Sequence, residues 1–159
     1  LDELEKTSYQ VVKLTSANVG LLEKLDELYT QAVTFGEQDI VDKAKETLTA
    51  LTENLDAINN INSTYIDRQT RTQLTEYAAI STKIANDMIS GTADFSKIQQ
   101  QAQSKTNMYN SVLQSLKAAQ QRADARFFEL VKNTKSRSDH ALTLMLVFSS
   151  VSLLYFIHI

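Results

Sequence analysis

The sequence predicts an all-α protein that folds as an antiparallel, up-down four-helix bundle. The chain of 159 residues contains three glycines and no proline, so very few positions would interrupt a helix. Leucine, alanine, glutamine, lysine and glutamate, which have high helix propensity, are abundant. Apolar side chains recur at every third or fourth position, which is the spacing of one helix face. The length fits a single core.

The first helix is predicted over residues 1–35. Two rows of side chains with a spacing of seven residues mark its buried seam: Leu4, Val11, Asn18, Leu25 and Ala32 in one row, and Leu14, Leu21, Leu28 and Phe35 in the other. Gly36 follows, and glycine readily adopts the left-handed conformation that ends many helices. Asn18 is the polar member of the first row, where an amide can fix helix register or dimer pairing.

The second helix is predicted over residues 39–66, with Asp39 as its N-cap. Its seam consists of Val41, Ala44, Leu48, Leu51, Leu55, Ile58, Asn62 and Tyr65. The pattern weakens within "NSTYIDRQTRTQ", where Asn, Ser and Thr side chains compete for backbone hydrogen bonds, so we expect a turn at 66–70. A single helix over 39–90 would be about 78 Å long, against about 52 Å for the first helix. Folding the chain back here completes an antiparallel bundle.

The third helix is predicted over residues 70–90, and the fourth over 94–140 with Thr92 or Asp94 as its N-cap. The inward side chains of the third helix are Leu74, Tyr77, Ile84 and Met88, and those of the fourth are Ile98, Ala102, Tyr109, Leu113, Leu116, Ala123, Phe127 and Leu130. No glycine or proline follows Gly91. The fourth helix is therefore expected to continue beyond residue 140 without a break.

Residues 141–159, "ALTLMLVFSSVSLLYFIHI", contain no Lys, Arg, Asp or Glu. Nineteen helical residues span about 28 Å, close to the thickness of the hydrocarbon core of a bilayer. A helix in a soluble bundle would show a polar face, and this segment has none. The sequence thus predicts two regions: a helical-bundle domain over residues 1–140 and a transmembrane helix over residues 141–159.

The charge is unevenly distributed along the chain. Residues 1–66 hold twelve acidic side chains and five lysines, whereas residues 67–159 hold seven acidic and eleven basic side chains. This asymmetry predicts that an acidic first hairpin packs against a more basic second hairpin. Nucleic acid is not an expected partner, because the basic residues are scattered among acidic ones and the net charge is −3.

No catalytic constellation is found in the sequence, and an enzyme is not expected. The absence of cysteine excludes disulfides and thiolate chemistry. Both histidines, His140 and His158, lie at or within the apolar segment, so the bundle has no histidine for a catalytic triad or a metal site. The three glycines are isolated and form no phosphate-binding loop. No metal or cofactor is predicted.

Two groups of polar side chains are candidate sites. Counting the helical rise from each turn places Asn18, Tyr77, Tyr109 and Asn110 in one mid-bundle layer, which would either hold a small polar ligand or satisfy itself with trapped water. The same counting brings Arg68, Arg71, Arg122 and Arg126 to the end of the bundle next to the apolar segment, near Glu3 and Glu5. These arginines would form an anion site, or ion pairs with those carboxylates and with Asp67 or Asp124.

The segments "LYTQAVTFGEQD" and "MISGTADFSKI", together with a long last helix that enters an apolar segment, resemble the extracytoplasmic four-helix-bundle sensor domain of bacterial methyl-accepting chemotaxis proteins. The resemblance implies a ligand-sensing domain in the periplasm, over residues 1–140, anchored in the inner membrane. It implies a first membrane helix before Leu1, and a HAMP linker with a signalling region after Ile159. The implied partners are a small-molecule ligand or a periplasmic binding protein, and a second copy paired through the first and last helices.

The amino-acid-binding members of this family hold an acidic ligand with arginines on their first and last helices, and the first helix here has no arginine. That ligand clamp is therefore not expected. Related helical sensors precede histidine kinases and diguanylate cyclases, so a kinase or cyclase sensor is an alternative.

An alternative of another class is a tail-anchored tethering or fusion protein, with Ile159 at its C-terminus and the bundle in the cytoplasm. Lys132, Lys135 and Arg137 flank the apolar segment, and the positive-inside rule alone would place that flank in the cytoplasm. The same bases would also suit contact with lipid head groups.

Overall fold

The structure, a computed structural model, describes residues 3–157, with side chains described for residues 3–139 and for Leu142 and Met145. This part of the chain forms four helices and no strand: α1 (Glu3–Phe35), α2 (Gln38–Ile61), α3 (Arg68–Ile89) and α4 (Phe95–Ile157). The predicted all-α fold with four helices is confirmed.

Consecutive helices pack as antiparallel neighbours around one apolar core. α1 makes its most extensive contact with α2, to which it is joined by Gly36 and Glu37 alone. α4 packs against both α1 and α3, and α1 and α3 also touch across the bundle. Tyr9 contacts Phe127, whereas Asp26, later in α1, contacts Lys105, earlier in α4, so the two helices run in opposite directions.

The turn between α2 and α3 occupies residues 62–67, whereas the sequence predicted 66–70. The Asn62 side-chain oxygen accepts hydrogen bonds from the Thr64 N–H at 2.9 Å and from the Thr64 hydroxyl at 2.7 Å. The Asn62 side chain thus satisfies the Thr64 N–H, which would donate to a backbone carbonyl if α2 were longer. Tyr65, predicted on the seam of α2, consequently lies in the loop, where it is buried.

The helix ends show which capping predictions were right. Gly36 and Gly91 have φ angles of 70° and 68°, and the Gly36 N–H donates to the Ala32 carbonyl at 2.9 Å, as expected of a helix-ending glycine. Asp94 caps α4 by accepting from the Ser96 N–H at 3.1 Å. Asp39 is not the cap of α2, because the helix begins at Gln38 and Asp39 lies in its first turn.

The buried stripe of α1 differs from the predicted seam. The row Val11, Asn18, Leu25 and Ala32 is buried as predicted, and the second fully buried row is Ser8, Thr15, Leu22 and Tyr29. Of the predicted second row, Leu14, Leu21 and Leu28 are half-buried and pack against the core. Leu4 is 60% exposed and Phe35 is 65% exposed. Because α1 touches three other helices, its buried face is wider than the seam between two helices. The wider face includes the row that begins with the polar residues Ser8 and Thr15.

α4 is one uninterrupted helix of 63 residues, about 94 Å long by the helical rise. It passes through Asp139, as the prediction of a continuous last helix requires. The predicted transmembrane segment, 141–159, lies largely outside the residues whose side chains are described. Within the described residues, no helix combines the length and the apolar character that crossing a bilayer demands.

Candidate functional site

Asp26, Tyr77 and Lys105 meet where α1, α3 and α4 come together, and we call them the central cluster. The Tyr77 hydroxyl donates to Asp26 Oδ1 at 2.8 Å, and Lys105 Nζ lies 2.7 Å from the same oxygen. Lys105 Nζ also lies 6.0 Å from the centre of the Tyr77 ring, within the range of a cation–π contact. One carboxylate on α1 thus binds a donor from each of the other two helices.

Aromatic side chains surround the central cluster. Tyr77 is fully buried, and its ring lies 6.2 Å from that of Tyr29 in an edge-on arrangement and 5.8 Å from that of Tyr109. The Tyr29 hydroxyl is paired with the Thr82 hydroxyl at 2.9 Å. These rings supply apolar packing, while their hydroxyls need polar partners when buried.

Burial and the Asp26 carboxylate hold Tyr77 in its neutral form. Burial is the largest cause of its raised pKa, followed by the Asp26 charge and the hydrogen bond to Asp26. Burial also raises the pKa of Tyr29 and that of Tyr109; for Tyr109, the Asp26 and Glu23 charges act in the same direction. All three phenols therefore keep their protons at neutral pH.

A cleft opens beside the central cluster between α1, α3 and α4, with a volume of about 220 Å³. Its walls include Tyr29, Val33, Ser81, Ile84, Ala102 and Lys105. Ser81 is 2% exposed, and its hydroxyl has no hydrogen-bond partner among the described residues. It lies close enough to the Tyr77 hydroxyl to lower the pKa of Tyr77 slightly. The Tyr77 hydroxyl is therefore the polar neighbour of Ser81, and the Ser81 oxygen itself is closed off from the cleft.

The four side chains predicted to share one polar layer are divided between three places. Tyr77 and Tyr109 are brought together. Asn18 is fully buried in another part of the core, about 12 Å along α1 from Asp26. Ser16, two residues before it, has its hydroxyl 3.4 Å from Gln120 Nε2 of α4. Asn110 is exposed on α4. The helical count assumed a second helix that reached residue 66, whereas α2 ends at Ile61, so the count misplaced α3 along the bundle relative to α1.

The carboxamide of Asn18 is a second unsatisfied group. Neither its Oδ1 nor its Nδ2 has a hydrogen-bond partner within the described part of the chain. An amide buried without partners is destabilising, unless a trapped water satisfies it.

The four arginines lie near the α2–α3 end of the bundle, as predicted, but they form no single cluster. Arg71 donates to Asp56 Oδ1 at 2.5 Å and to the Leu55 carbonyl at 2.7 Å, so its ion-pair partner is not one that the sequence suggested. Arg68 is exposed at the first position of α3.

Arg122 and Arg126 line one groove beside the α2–α3 loop, with both side chains exposed. Arg122 donates to the Tyr65 carbonyl at 2.9 Å. The pKa of Asp67 is lowered mainly by hydrogen bonds from Thr70 and, to a smaller extent, by the Arg122 charge. Arg122 and Arg126 thus share one groove, and the anion site stays a prediction for this pair.

Asp26, Lys105 and Ser81 were missed in the sequence. Asp26 belongs to the acidic run Glu23, Asp26 and Glu27, whose members lie outside the predicted buried seam of the first helix. The predicted inward positions of Tyr77 and Tyr109 could have indicated Asp26, because a buried phenol needs a polar partner nearby.

The described residues contain no group of histidine, cysteine, aspartate and glutamate side chains suited to a metal ion. No protein-family model, curated protein or solved structure matches the chain.

Proposed function

We propose that the chain is the sensory module of a membrane-anchored bacterial receptor of the chemotaxis type. In this proposal residues 1–140 lie in the periplasm, residues 141–159 enter the inner membrane, and the module pairs with a second copy through α1 and α4. The ligand is a small molecule or a periplasmic binding protein. The observation that supports the proposal is that α4 is one helix, which carries Lys105 of the central cluster and continues to Ile157.

The mechanism follows from the place of the central cluster. A ligand held between α1, α3 and α4 changes the balance between two arrangements of these helices by the difference in its affinity for them. Helix displacements of about 1–2 Å are a known form of such a transition. A helix without a glycine or proline transmits a displacement along its axis, because it has no hinge to absorb it.

A sensor of a histidine kinase or diguanylate cyclase would use the same bundle and the same continuous helix. Such a sensor would differ from a chemoreceptor in the signalling region that follows. Ligand binding would act on the helical bundle in the same way in both classes. The chemoreceptor is preferred on the resemblance of the segments around Gly36 and Gly91.

Topology labelling tests the proposal. The chain has no native cysteine, so Thr106→Cys on the exposed surface of α4 introduces a single reactive thiol. In intact cells, a small membrane-impermeant maleimide is expected to label this thiol, and a cytoplasmic protein with one exposed cysteine serves as the unlabelled control. Labelling of Thr106→Cys only after lysis would overturn the proposal and favour the tail-anchored tethering protein.

A further inference from the structure

We infer that residues 131–139 of α4, which we call the basic collar, bind the head groups of anionic phospholipids. The inference rests on the part of the proposed function that places residues 141–159 in the membrane, and it adds the class of lipid that α4 contacts. Lys132, Lys135 and Arg137 supply the positive charge of the basic collar. The mechanism proposed above makes no use of them.

The basic collar is a part of α4 that the bundle leaves uncovered. Leu130 is half-buried, whereas every residue from 131 to 139 is exposed. None of the ion pairs formed within the described residues involves Lys132, Lys135 or Arg137. The helix continues through this segment to Ile157 without a break. The three cations therefore lie on a continuous helix outside the bundle, where they can bind an anion from outside the chain.

The chemistry of the basic collar fits an anion that accepts hydrogen bonds. Residues 132–138, "KNTKSRS", consist of three basic and four neutral side chains, and every one of them has a hydrogen-bond donor. Asp139 is the one acidic residue of the basic collar, which leaves a net charge of +2. Phosphate oxygens accept hydrogen bonds, and those from lysine and arginine are charge-assisted. A phosphate group is therefore a suitable partner.

The three bases surround the helix instead of converging on one point. With 3.6 residues per turn, Lys135 lies about 60° from Lys132 around the helix axis, and Arg137 lies about 140° from Lys132 in the other direction. A single small anion would need cations that converge on it. A layer of head groups, in contrast, surrounds any helix that crosses it. The arrangement thus favours a membrane surface over a discrete ligand.

The spacing along the helix axis matches the thickness of a head-group layer. Arg137, Lys135 and Lys132 precede Ala141 by about 6, 9 and 14 Å of helix. The polar layer on each side of a bilayer is about 5–7 Å thick, and long basic side chains extend a few ångströms further. With Ala141 at the edge of the hydrocarbon, Arg137 and Lys135 reach the head groups directly. Lys132 lies within a Debye length, about 8 Å, of them.

The basic collar would set the depth of α4 without blocking its movement. Moving α4 further into the membrane would bring Arg137 into the hydrocarbon, and withdrawing it would separate the bases from the phosphates. A signalling displacement of about 1–2 Å is shorter than a lysine side chain, which can follow the head groups over that distance.

Spin-labelled lipids test the inference on the full chain reconstituted in phosphatidylcholine bilayers. Electron paramagnetic resonance separates lipid that is immobilised at the protein surface from bulk lipid, and so measures the relative affinity of the chain for each labelled phospholipid. We expect phosphatidylglycerol to associate about fivefold more tightly than phosphatidylcholine, which corresponds to the contribution of one base near an anionic surface. Phosphatidylserine has the same net charge and should match phosphatidylglycerol, because the bases form no pocket for one particular head group.

Charge substitutions locate the site. Replacing Lys132, Lys135 and Arg137 together with glutamine should make the two labelled lipids associate about equally, whereas Lys132→Arg with Lys135→Arg should keep the preference. Among the single variants, Arg137→Gln should have the largest effect and Lys132→Gln the smallest, because of their distances from Ala141. Lys117→Gln lies about 36 Å from Ala141 on the same helix and is the matched control, which should leave the preference unchanged.

Equal association of the two lipids with the parent chain, or a preference that persists in the triple variant, would overturn the inference. An equal loss in Lys117→Gln would also overturn it, because the lipid would then respond to the total charge of α4. In these cases immobilised lipid still shows that the chain is inserted, so the proposed membrane anchor is retained. If no lipid is immobilised at all, the anchor and the inference both fail, while Thr106→Cys labelling reports separately on which side the bundle lies.

Discussion

Asn18 shows how one side chain can oppose the packing around it. Its carboxamide is fully buried, and neither polar atom has a partner within the described residues. The free energy of unfolding is reduced by about 1–3 kcal/mol when a buried polar group lacks a hydrogen bond. Asn18 thus weakens the layer of the core that it occupies.

Replacing Asn18 with leucine, which has a similar shape and no polar atom, is expected to raise the free energy of unfolding by about 1–3 kcal/mol. Urea titration of the full chain in detergent, followed by far-ultraviolet circular dichroism, measures the change. Asn59→Leu, at an exposed position of α2, is the control and should have little effect. A less stable Asn18→Leu variant would show that the amide is satisfied, for example by a buried water.

The hydroxyl of Tyr77 is the opposite case, because it is buried and paired with a carboxylate. Tyr77→Phe should lower the free energy of unfolding by about 2 kcal/mol, the typical contribution of a hydrogen bond to a charged group. Tyr109→Phe is the matched control, since within the described chain its hydroxyl makes no hydrogen bond. Equal losses in the two variants would show that the bond to Asp26 contributes little to stability.

The raised pKa values of Tyr29, Tyr77 and Tyr109 predict a loss of stability at alkaline pH. In the unfolded chain a tyrosine loses its proton near the ordinary pKa of about 10, whereas the folded protein retains it. The stabilisation is therefore complete below pH of about 10 and declines as the pH rises above it. Urea titrations across this range should show a smaller decline in Tyr77→Phe than in the parent chain.

The helices themselves could be predicted well, while their contacts could not. The three glycines, the lack of proline and the seven-residue spacing of apolar residues were enough to define four helices. Two of these glycines end α1 and α3, so their positions indicated those boundaries correctly. The α2–α3 turn was misplaced because Tyr65 fits the heptad pattern but is buried from within a loop.

The central cluster shows why the site was harder to predict than the fold. Heptad spacing assigns each residue to a face of its own helix, and by that measure Asp26 belongs to solvent. Its partners Tyr77 and Lys105 lie on α3 and α4, so the contact depends on how three helices are rotated about their axes. The rotation is set by packing of the whole core, which no local pattern records.

The starts of α2 and α3 differ in their capping, and this predicts a difference in stability. Asp67 accepts a hydrogen bond from the Thr70 N–H at 2.7 Å, whereas Glu37 makes no side-chain cap at the start of α2. Asp67→Ala should lower the free energy of unfolding by about 1 kcal/mol, and Glu37→Ala should change it little.

The lowered pKa of Asp67 adds a test by pH, because the stabilisation is present above the ordinary pKa of 3.8 and is lost as the pH falls through the folded value. The urea midpoints of Asp67→Ala and the parent chain should therefore converge in acid. A constant difference across that range would contradict the assigned role of the carboxylate.

The continuity of α4 is a property of the whole molecule that can be measured as one distance. Thr106 and Ser138 are exposed on α4, and 32 residues of helix separate them by about 48 Å. Spin labels on Thr106→Cys and Ser138→Cys, in the otherwise cysteine-free chain, are expected to give a narrow distribution near this value by double electron–electron resonance. A broad distribution, or one centred well below it, would show that α4 bends between the two sites.

The length of α4 also turns small angles into large displacements. From Lys105 to Ile157 the helix extends for about 78 Å, by the rise per residue. A tilt of about 2° about Lys105 would move the side chains next to Lys105 by a few tenths of an ångström, and Phe127, about 33 Å along the helix, by about 1 Å. The same tilt would move Ile157 sideways by about 3 Å, so a small change at the Asp26–Lys105 ion pair would be amplified at the far end of the helix.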